Sequence, residues 1–396
     1  MAFSVKVTRK VSIPDPIRVA RYARAPELGP RILFFSGGSA LSGLSRELAR
    51  YTHNSIHLVT PFDSGGSSAA LRKAFHMPAV GDVRNRLMAL ADQSALGAPE
   101  VYKLFARRMP KDSDNNALFT TLERLIAGHD PMVAAINDPM RKIIRNHLGY
   151  FRSVMPDGFD LKGASVGNLI LTGGYLNNGR HLDPVIFLFS RLVEARGVVR
   201  PTVNKSRHLA VELENGDVIV GQHLFTGKEN GPILFPIRNM YTTRNLASEE
   251  PVDVGIRRKT EEMIGQAELI CYPMGSFYSS VVANLLPSGV GRCVTMNECP
   301  KVYIPNSGHD PEQVGMTVGD CVETLVKYLA RSGGGKIDRL LNYVVVDTVN
   351  GSYPWPLELE HVREMGITVI DTPLISEQSG PYYDEKLLLP VLLSLT

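Results

Sequence analysis

Ile32-Leu33-Phe34-Phe35-Ser36-Gly37-Gly38-Ser39-Ala40-Leu41-Ser42-Gly43 passes from an apolar run into a loop of small residues, and the loop opens a helical pattern at Leu41, Leu44 and Leu48. That order predicts a strand, a tight turn and a helix start within about twenty residues. Such a junction directs backbone N–H groups at one point, with the positive end of a helix dipole behind them. It suits an anion, most often a phosphate. The loop lacks the Lys-Ser/Thr ending of a Walker A loop, and its glycines do not fit the G-x-G-x-x-G spacing. Two uses of the glycines stay open: nucleotide binding, or tight turning and close helix packing.

Two further junctions share the design. Ile56-His57-Leu58-Val59-Thr60 leads into Asp63-Ser64-Gly65-Gly66-Ser67-Ser68, and Leu269-Ile270-Cys271-Tyr272 leads into Pro273-Met274-Gly275-Ser276, with a helix from Phe277. More strands are predicted at 302–304, 343–347 and 367–370, with helices near 317–331 and 357–365. Strand–helix alternation implies an α/β fold with a mostly parallel sheet and helices on its faces. In open sheets of this kind, loops at the carboxyl ends of the strands gather around a ligand crevice. The three loops are therefore expected to face one pocket.

The remaining organisation follows from punctuation. Residues 1–29 carry Pro14, Pro16 and Pro26 among charges and read as an extended arm, leaving 30–396 as the folded domain. A helical insertion is expected over about 96–155, broken at Pro110, Pro131 and Pro139. A β-hairpin is expected over about 208–221, with Asn215-Gly216 in a type I′ turn.

The 396 residues carry a net charge of +3, which gives no support to a nucleic-acid surface. No apolar run is long enough to cross a bilayer, and the arginines near the N-terminus lack the apolar core of a secretory signal. Cys271, Cys293, Cys299 and Cys321 have no C-x-x-C spacing; they read as free thiols of a cytoplasmic protein. No disulfide framework and no covalent or redox cofactor is expected.

Asp63, at the end of the second strand, can hold a divalent cation or take a proton from an attacking hydroxyl; it can equally cap the next segment. Asp82 reads as a helix cap. Arg72, Lys73, Arg84 and Arg86 can clamp phosphates or be solvated charges. Ser165 and Asn168 precede an apolar helix or strand, and Asn168 can touch a base or phosphate or serve as a capping side chain. Tyr278 can stack on a base or pack in the core. None of the ten histidines lies in an H-E-x-x-H context.

At these loops the chain resembles the CofD/YvcK family. Ser36-Gly37-Gly38-Ser39-Ala40-Leu41 is similar to the family's G-G-G/T-T-G-L loop, and Val59-Thr60-Pro61-Phe62-Asp63-Ser64-Gly65-Gly66-Ser67-Ser68 to V-T-x-x-D-D-G-G-S-S. Pro78-Ala79-Val80-Gly81-Asp82-Val83-Arg84-Asn85 resembles P-P-G-D-I-R-N of the YvcK branch, and Ser165-Val166-Gly167-Asn168-Leu169 resembles S-F-G-N-L. Gly275-Ser276-Phe277-Tyr278-Ser279-Ser280 resembles G-S-L-Y-T-S.

The resemblance implies a Rossmann-like fold, commonly a homodimer. It implies either a regulatory protein that binds a UDP-sugar-like nucleoside diphosphate conjugate, nearer the YvcK branch, or a transferase. The transferase would use Mg²⁺ to move a phospho-acyl group from such a conjugate to a hydroxyl, in the manner of 2-phospho-L-lactate transferase. It places nucleotide contacts at Gly37, Gly38 and Ser39, at Gly65, Gly66 and Ser67, at Arg84, Asn85 and Asn168, and at Gly275, Ser276 and Tyr278. Asp63 would be the cation and catalytic position. The chain departs from the pattern at Ser39-Ala40, at Ser64, where a second carboxylate is lost, and over 306–312. A dinucleotide-dependent oxidoreductase is disfavoured, because no acidic residue ends the second strand at the ribose-binding position.

Overall fold

The computed structural model describes residues 10–92, 97–227 and 231–396. In chain order the strands are β1 (Ile32–Ser36), β2 (Ile56–Val59), β3 (Val198–Pro201), β4 (His208–Leu213), β5 (Val218–Val220), β6 (Ile237–Thr243), β7 (Leu269–Tyr272), β8 (Lys301–Tyr303), β9 (Tyr343–Val346) and β10 (Thr368–Asp371). Seven of them form one sheet in the order β10-β9-β8-β7-β1-β2-β3, every neighbouring pair parallel. The other three form an antiparallel sheet in the order β5-β4-β6.

Every residue of β1 is buried, because both faces of the sheet are covered, and the strand therefore reads as an unbroken apolar run. Alternate side chains go to different cores. Leu33 and Phe35 pack with Tyr272 of β7 and with Leu209 and Met240 of the small sheet. Ile32 and Phe34 pack with Leu44 and Leu48 and with Leu388 and Leu392 near the C-terminus. The helices between 99 and 192 build a third cluster, with Leu104, Phe105, Leu148 and Phe189 fully buried in it.

The order of the strands reverses at β1. From there the chain runs outward through β2 to β3, then returns to the opposite side of β1 and continues β7 to β10. The gap outside the carboxyl ends of β1 and β7 is the topological switch point, where open α/β sheets bind their ligands.

Three local readings are revised. The N-terminal segment is not extended over Pro16–Arg24 but helical, with Asp15 capping its first turn. It docks on the helix Glu385–Ser394: the Asp15 N–H donates to Ser394 Oγ at 2.7 Å, and Arg18 donates to the Ser394 carbonyl at 2.9 Å. The hairpin at 208–220 is present, but its turn differs. Gly216 has φ +90 and Asn215 does not have a positive φ, so the loop is a three-residue turn closed by Gly216 rather than type I′, which needs positive φ at both central residues. The helix after β7 begins as a π-turn, Phe277–Val282, with the Val281 N–H reaching back to the Ser276 carbonyl at 3.4 Å. Such turns are rare and concentrate at functional sites. Among the described residues no helix is long and apolar enough to cross a membrane.

Candidate functional site

The loops after β7, β1 and β2 stand side by side because their strands are neighbours. Loop contacts close the gaps between them. Gly275 has φ +133, and a Cβ there would lie 3.2 Å from the Ala40 Cβ, so the first and third loops touch. A Cβ on Gly81 would lie 2.9 Å from Ser68 Oγ, 3.6 Å from Asp63 Oδ2 and 3.9 Å from Asn168 Nδ2. The next residue, Asp82, sits directly under the first loop: a Cβ on Gly38 would collide with its carboxylate and stand 3.0 Å from Asn85 Nδ2. One continuous surface therefore runs from Asp63 and Asn168 through Asp82 and Gly38 to Gly275.

Neither Gly37 nor Gly38 has a positive φ. They are glycines because Asp82, Asn85 and Ser280 approach so closely that no side chain fits. The helix that follows, Ser42–Leu48, has only 7 residues, so positive charge at this point comes from side chains more than from a helix dipole.

The arginines divide into struts and ligand candidates. Arg86 is fully buried; it donates to the Gly37 carbonyl at 2.8 Å and to Ser45 Oγ at 2.5 Å, and so holds the first loop from below. Arg72, also buried, donates to the carbonyls of Phe62 at 2.8 Å and Asp63 at 3.0 Å and holds the second loop. Both are phosphate-clamp candidates in the sequence, and both instead bind backbone. Arg84 bonds Ser165 Oγ and Asn85 Oδ1. Burial lowers its pKa to about 10, with Arg108 adding to the shift, so it stays charged at neutral pH.

Asp63 Oδ1 accepts the Gly65 N–H at 3.0 Å, a capping contact that leaves the other oxygen near Gly81. Ser64 does not supply a second carboxylate; its Oγ lies 2.8 Å from His223 Nδ1 and accepts the His223 N–H at 3.3 Å, which anchors the turn Gln222–Phe225. Ser67 Oγ joins the Ser165 N–H at 3.4 Å and Asn168 Nδ2 at 3.5 Å. The Asn168 Oδ1 is buried and accepts from no described residue. Gly66 has φ +47, and a Cβ there would meet no described residue within 4 Å.

The third loop differs from its expected role. The Gly275 N–H is taken by Asn306 Oδ1 at 2.7 Å, the Phe277 N–H by Asp310 Oδ2 at 2.7 Å and the Ser279 N–H by Glu312 Oε2 at 2.7 Å. Two carboxylates of this chain thus occupy the amide end of the π-turn, so it offers no phosphate cradle; Gly275 and Ser276 serve instead as a wall. Tyr278 is buried in the core and donates its hydroxyl to the Ile237 carbonyl at 3.0 Å. It has no face toward the crevice, and its stacking role falls away.

Two cavities flank the first loop. One, of about 290 Å³, is lined by Ser39, Ser42, Arg46, Arg84 and Asn85. The other, of about 440 Å³, is lined by Ala40, Ser276, His309, Asp310, Tyr382 and Glu385, among others. Arg46, Tyr382 and Glu385 escaped the sequence reading: a lone surface-type arginine and a segment past the recognisable motifs carry no local signal. A depression of about 930 Å³ along β3 lies apart from the loops. Two ion pairs lie within it, Arg196 with Asp92 at 2.6 Å and Arg200 with Asp183 at 2.8 Å.

The electrostatics behind the second loop predict a pH dependence. His208 Nε2 lies 3.2 Å from Arg72 Nη2, and burial, then Arg72 and His223, push the His208 pKa down to about 4. The unfolded chain protonates this histidine near 6.5. A depressed folded pKa makes the stabilisation complete above 6.5 and progressively lost between pH 6.5 and 4. Urea midpoints should fall over that window, and His208→Gln should flatten the fall; an unchanged slope refutes the assignment.

Comparison with known proteins fits this geometry. The chain is 29% identical over 356 residues to a gluconeogenesis factor of Bacillus subtilis, which covers 88% of this chain and 92% of the relative. It is 27% identical over 358 residues to a gluconeogenesis factor of Halalkalibacterium halodurans, covering 88% and 90%. The crystal structure of a UPF0052 family member from Bacillus halodurans shares the fold, with a TM-score of 0.68 at 24% identity over 92% of this chain and 99% of that one. Residues 32–375 match the family model described as 2-phospho-L-lactate transferase CofD, a span that holds every sheet strand and all three loops, and the chain belongs to the CofD family.

Proposed function

We propose that this chain binds a nucleoside diphosphate conjugate of the UDP-sugar type across the first loop and acts as a regulatory protein. The observation that carries the reading is the division of charge at that loop. Arg46 and Arg84 line the cavity on one side, and neutral and acidic groups line the cavity on the other. A diphosphate conjugate is anionic in its middle and neutral at its ends, so it matches a partition of this kind. Ser39, Ser42 and Asn85 add hydrogen-bonding groups beside the arginines. The name gluconeogenesis factor, borne by relatives matched over most of their length, supports a regulatory role.

The second reading, an Mg²⁺-dependent transferase, draws on Asp63 and Asp82 flanking the same surface and on the family model. Among the described residues no group of three or more His, Cys, Asp or Glu is placed to hold a metal. Two carboxylates beside a diphosphate still fit Mg²⁺, which is commonly held by one or two carboxylates plus substrate phosphates. Bound there, the ion would offset charge on the leaving phosphate. Asp63 would take the proton of the acceptor hydroxyl as its oxygen bonds to phosphorus and the nucleotide leaves.

Thermal denaturation with UDP-sugars, UDP, GDP and NAD, each with and without Mg²⁺, tests both readings. A bound nucleotide at 100 times its Kd should stabilise the fold by about 2.7 kcal/mol. A response to NAD alone overturns the proposal. Asp63→Asn that keeps nucleotide binding but loses an Mg²⁺ effect favours the transferase; no Mg²⁺ effect in either protein favours the regulator.

A further inference from the structure

The larger cavity beside the first loop has one wall from outside the family match. The match ends at residue 375, and Tyr382 and Glu385 come after it. The chain is brought there by its C-terminal helix, Glu385–Ser394, which packs against the core under β1. Tyr382 is 66% exposed. Its ring lies against the chain at Gly308, where a Cβ would lie 3.2 Å from Tyr382 Cε1. An aromatic ring held at a cavity mouth with most of its surface open to solvent is a stacking platform. The Glu385 carboxylate crosses to the helix after the first loop and lies against Gly43, closely enough that no side chain fits there.

We propose that Tyr382 and Glu385 hold the nucleoside half of the ligand. The Tyr382 ring stacks on the base, and the Glu385 carboxylate accepts hydrogen bonds from ribose hydroxyls. This rests on the diphosphate reading above and extends it to the base and sugar. The cavity, about 440 Å³, is of ligand-pocket size. Its acidic lining, Asp310 and Glu385, disfavours phosphate and suits hydroxyl and N–H donors. Asp310 is already engaged with the Phe277 N–H and the Glu312 N–H at 3.1 Å, so Glu385 is the carboxylate assigned to the ligand.

Calorimetric titration of UDP, GDP, 2′,3′-dideoxyuridine diphosphate and inorganic pyrophosphate tests this. Tyr382→Ala should weaken UDP and GDP about tenfold or more, the loss typical of one base–aromatic stack, and leave pyrophosphate unchanged. Tyr382→Phe should bind as the unaltered protein does. Glu385→Gln should weaken UDP but not the dideoxy analogue. Equal UDP affinity in Tyr382→Ala and the unaltered protein overturns the stacking assignment while the diphosphate reading stands. Equal losses for pyrophosphate and UDP also overturn it. Failure of the unaltered protein to bind any nucleoside diphosphate overturns both readings. Because Tyr382 is exposed, its substitution leaves the core intact.

Discussion

Arg86→Ala should lower the stability of the protein by about 3–5 kcal/mol in chemical denaturation, the range for removing one partner from a buried, hydrogen-bonded charge. The side chain is fully buried on the helix Gly81–Leu90, below the first loop. Burial pulls its pKa down to about 10 and the Asp82 charge pulls the other way, so it is cationic at neutral pH. Truncation removes the donor to the Gly37 carbonyl and to Ser45 Oγ, and it removes the positive charge that faces Asp82. Each polar group left behind in the interior carries its own desolvation cost. Arg86→Met keeps most of the volume and should lose less, about 2 kcal/mol, because packing survives while the hydrogen bonds do not. A loss below about 1 kcal/mol for Arg86→Ala would show that the first loop does not depend on this strut. In a folded fraction of the variant, nucleotide binding should weaken as well, since Arg86 fixes the Gly37 carbonyl in the same loop whose Ser39 and Ala40 line the two cavities.

The sheet was legible where burial on two faces leaves a continuous apolar run, as in Ile32-Leu33-Phe34-Phe35 and Leu269-Ile270-Cys271-Tyr272. It was not legible at β3, whose four residues include Arg200 and Pro201 and which forms the sheet edge. Proline belongs on edges, where its missing N–H removes nothing from the ladder, but the same proline argues against a strand in the sequence. Convergence of the loops was legible from their place after strands. The partners of the loops were not. Arg86 looks like any helical surface charge until the helix is docked. The Phe277 and Ser279 amides meet Asp310 and Glu312, each 33 residues away, and no local pattern announces that pairing. Tyr278 and Tyr382 show the same limit: the aromatic residue at the loop is buried and the one near the chain end is exposed, and no local pattern tells them apart.

Gly38→Ala should cost about 2 kcal/mol of stability in the unaltered background and below about 0.5 kcal/mol in an Asp82→Ala background, a coupling that direct contact predicts. The backbone at Gly38 has no positive φ, so alanine adds no conformational strain. The whole cost comes from the new methyl, which would overlap the Asp82 carboxylate and press on Asn85 Nδ2 at 3.0 Å. Asp82→Ala alone has its own cost, because Thr60 Oγ1 loses its acceptor at 3.2 Å; the cycle subtracts that contribution. Denaturation of the four proteins measures the coupling, and equal costs of Gly38→Ala in both backgrounds would mean that Asp82 does not set the shape of the loop. Binding gives an independent readout of the same contact. A carboxylate directly beneath a diphosphate repels it unless a cation intervenes. Asp82→Ala should therefore bind nucleoside diphosphate more tightly without Mg²⁺, and under the transferase reading it should also gain less when Mg²⁺ is added. Weaker binding in the absence of the metal would instead make Asp82 a direct acceptor for the ligand, and the charge division across the first loop would need to be redrawn around it.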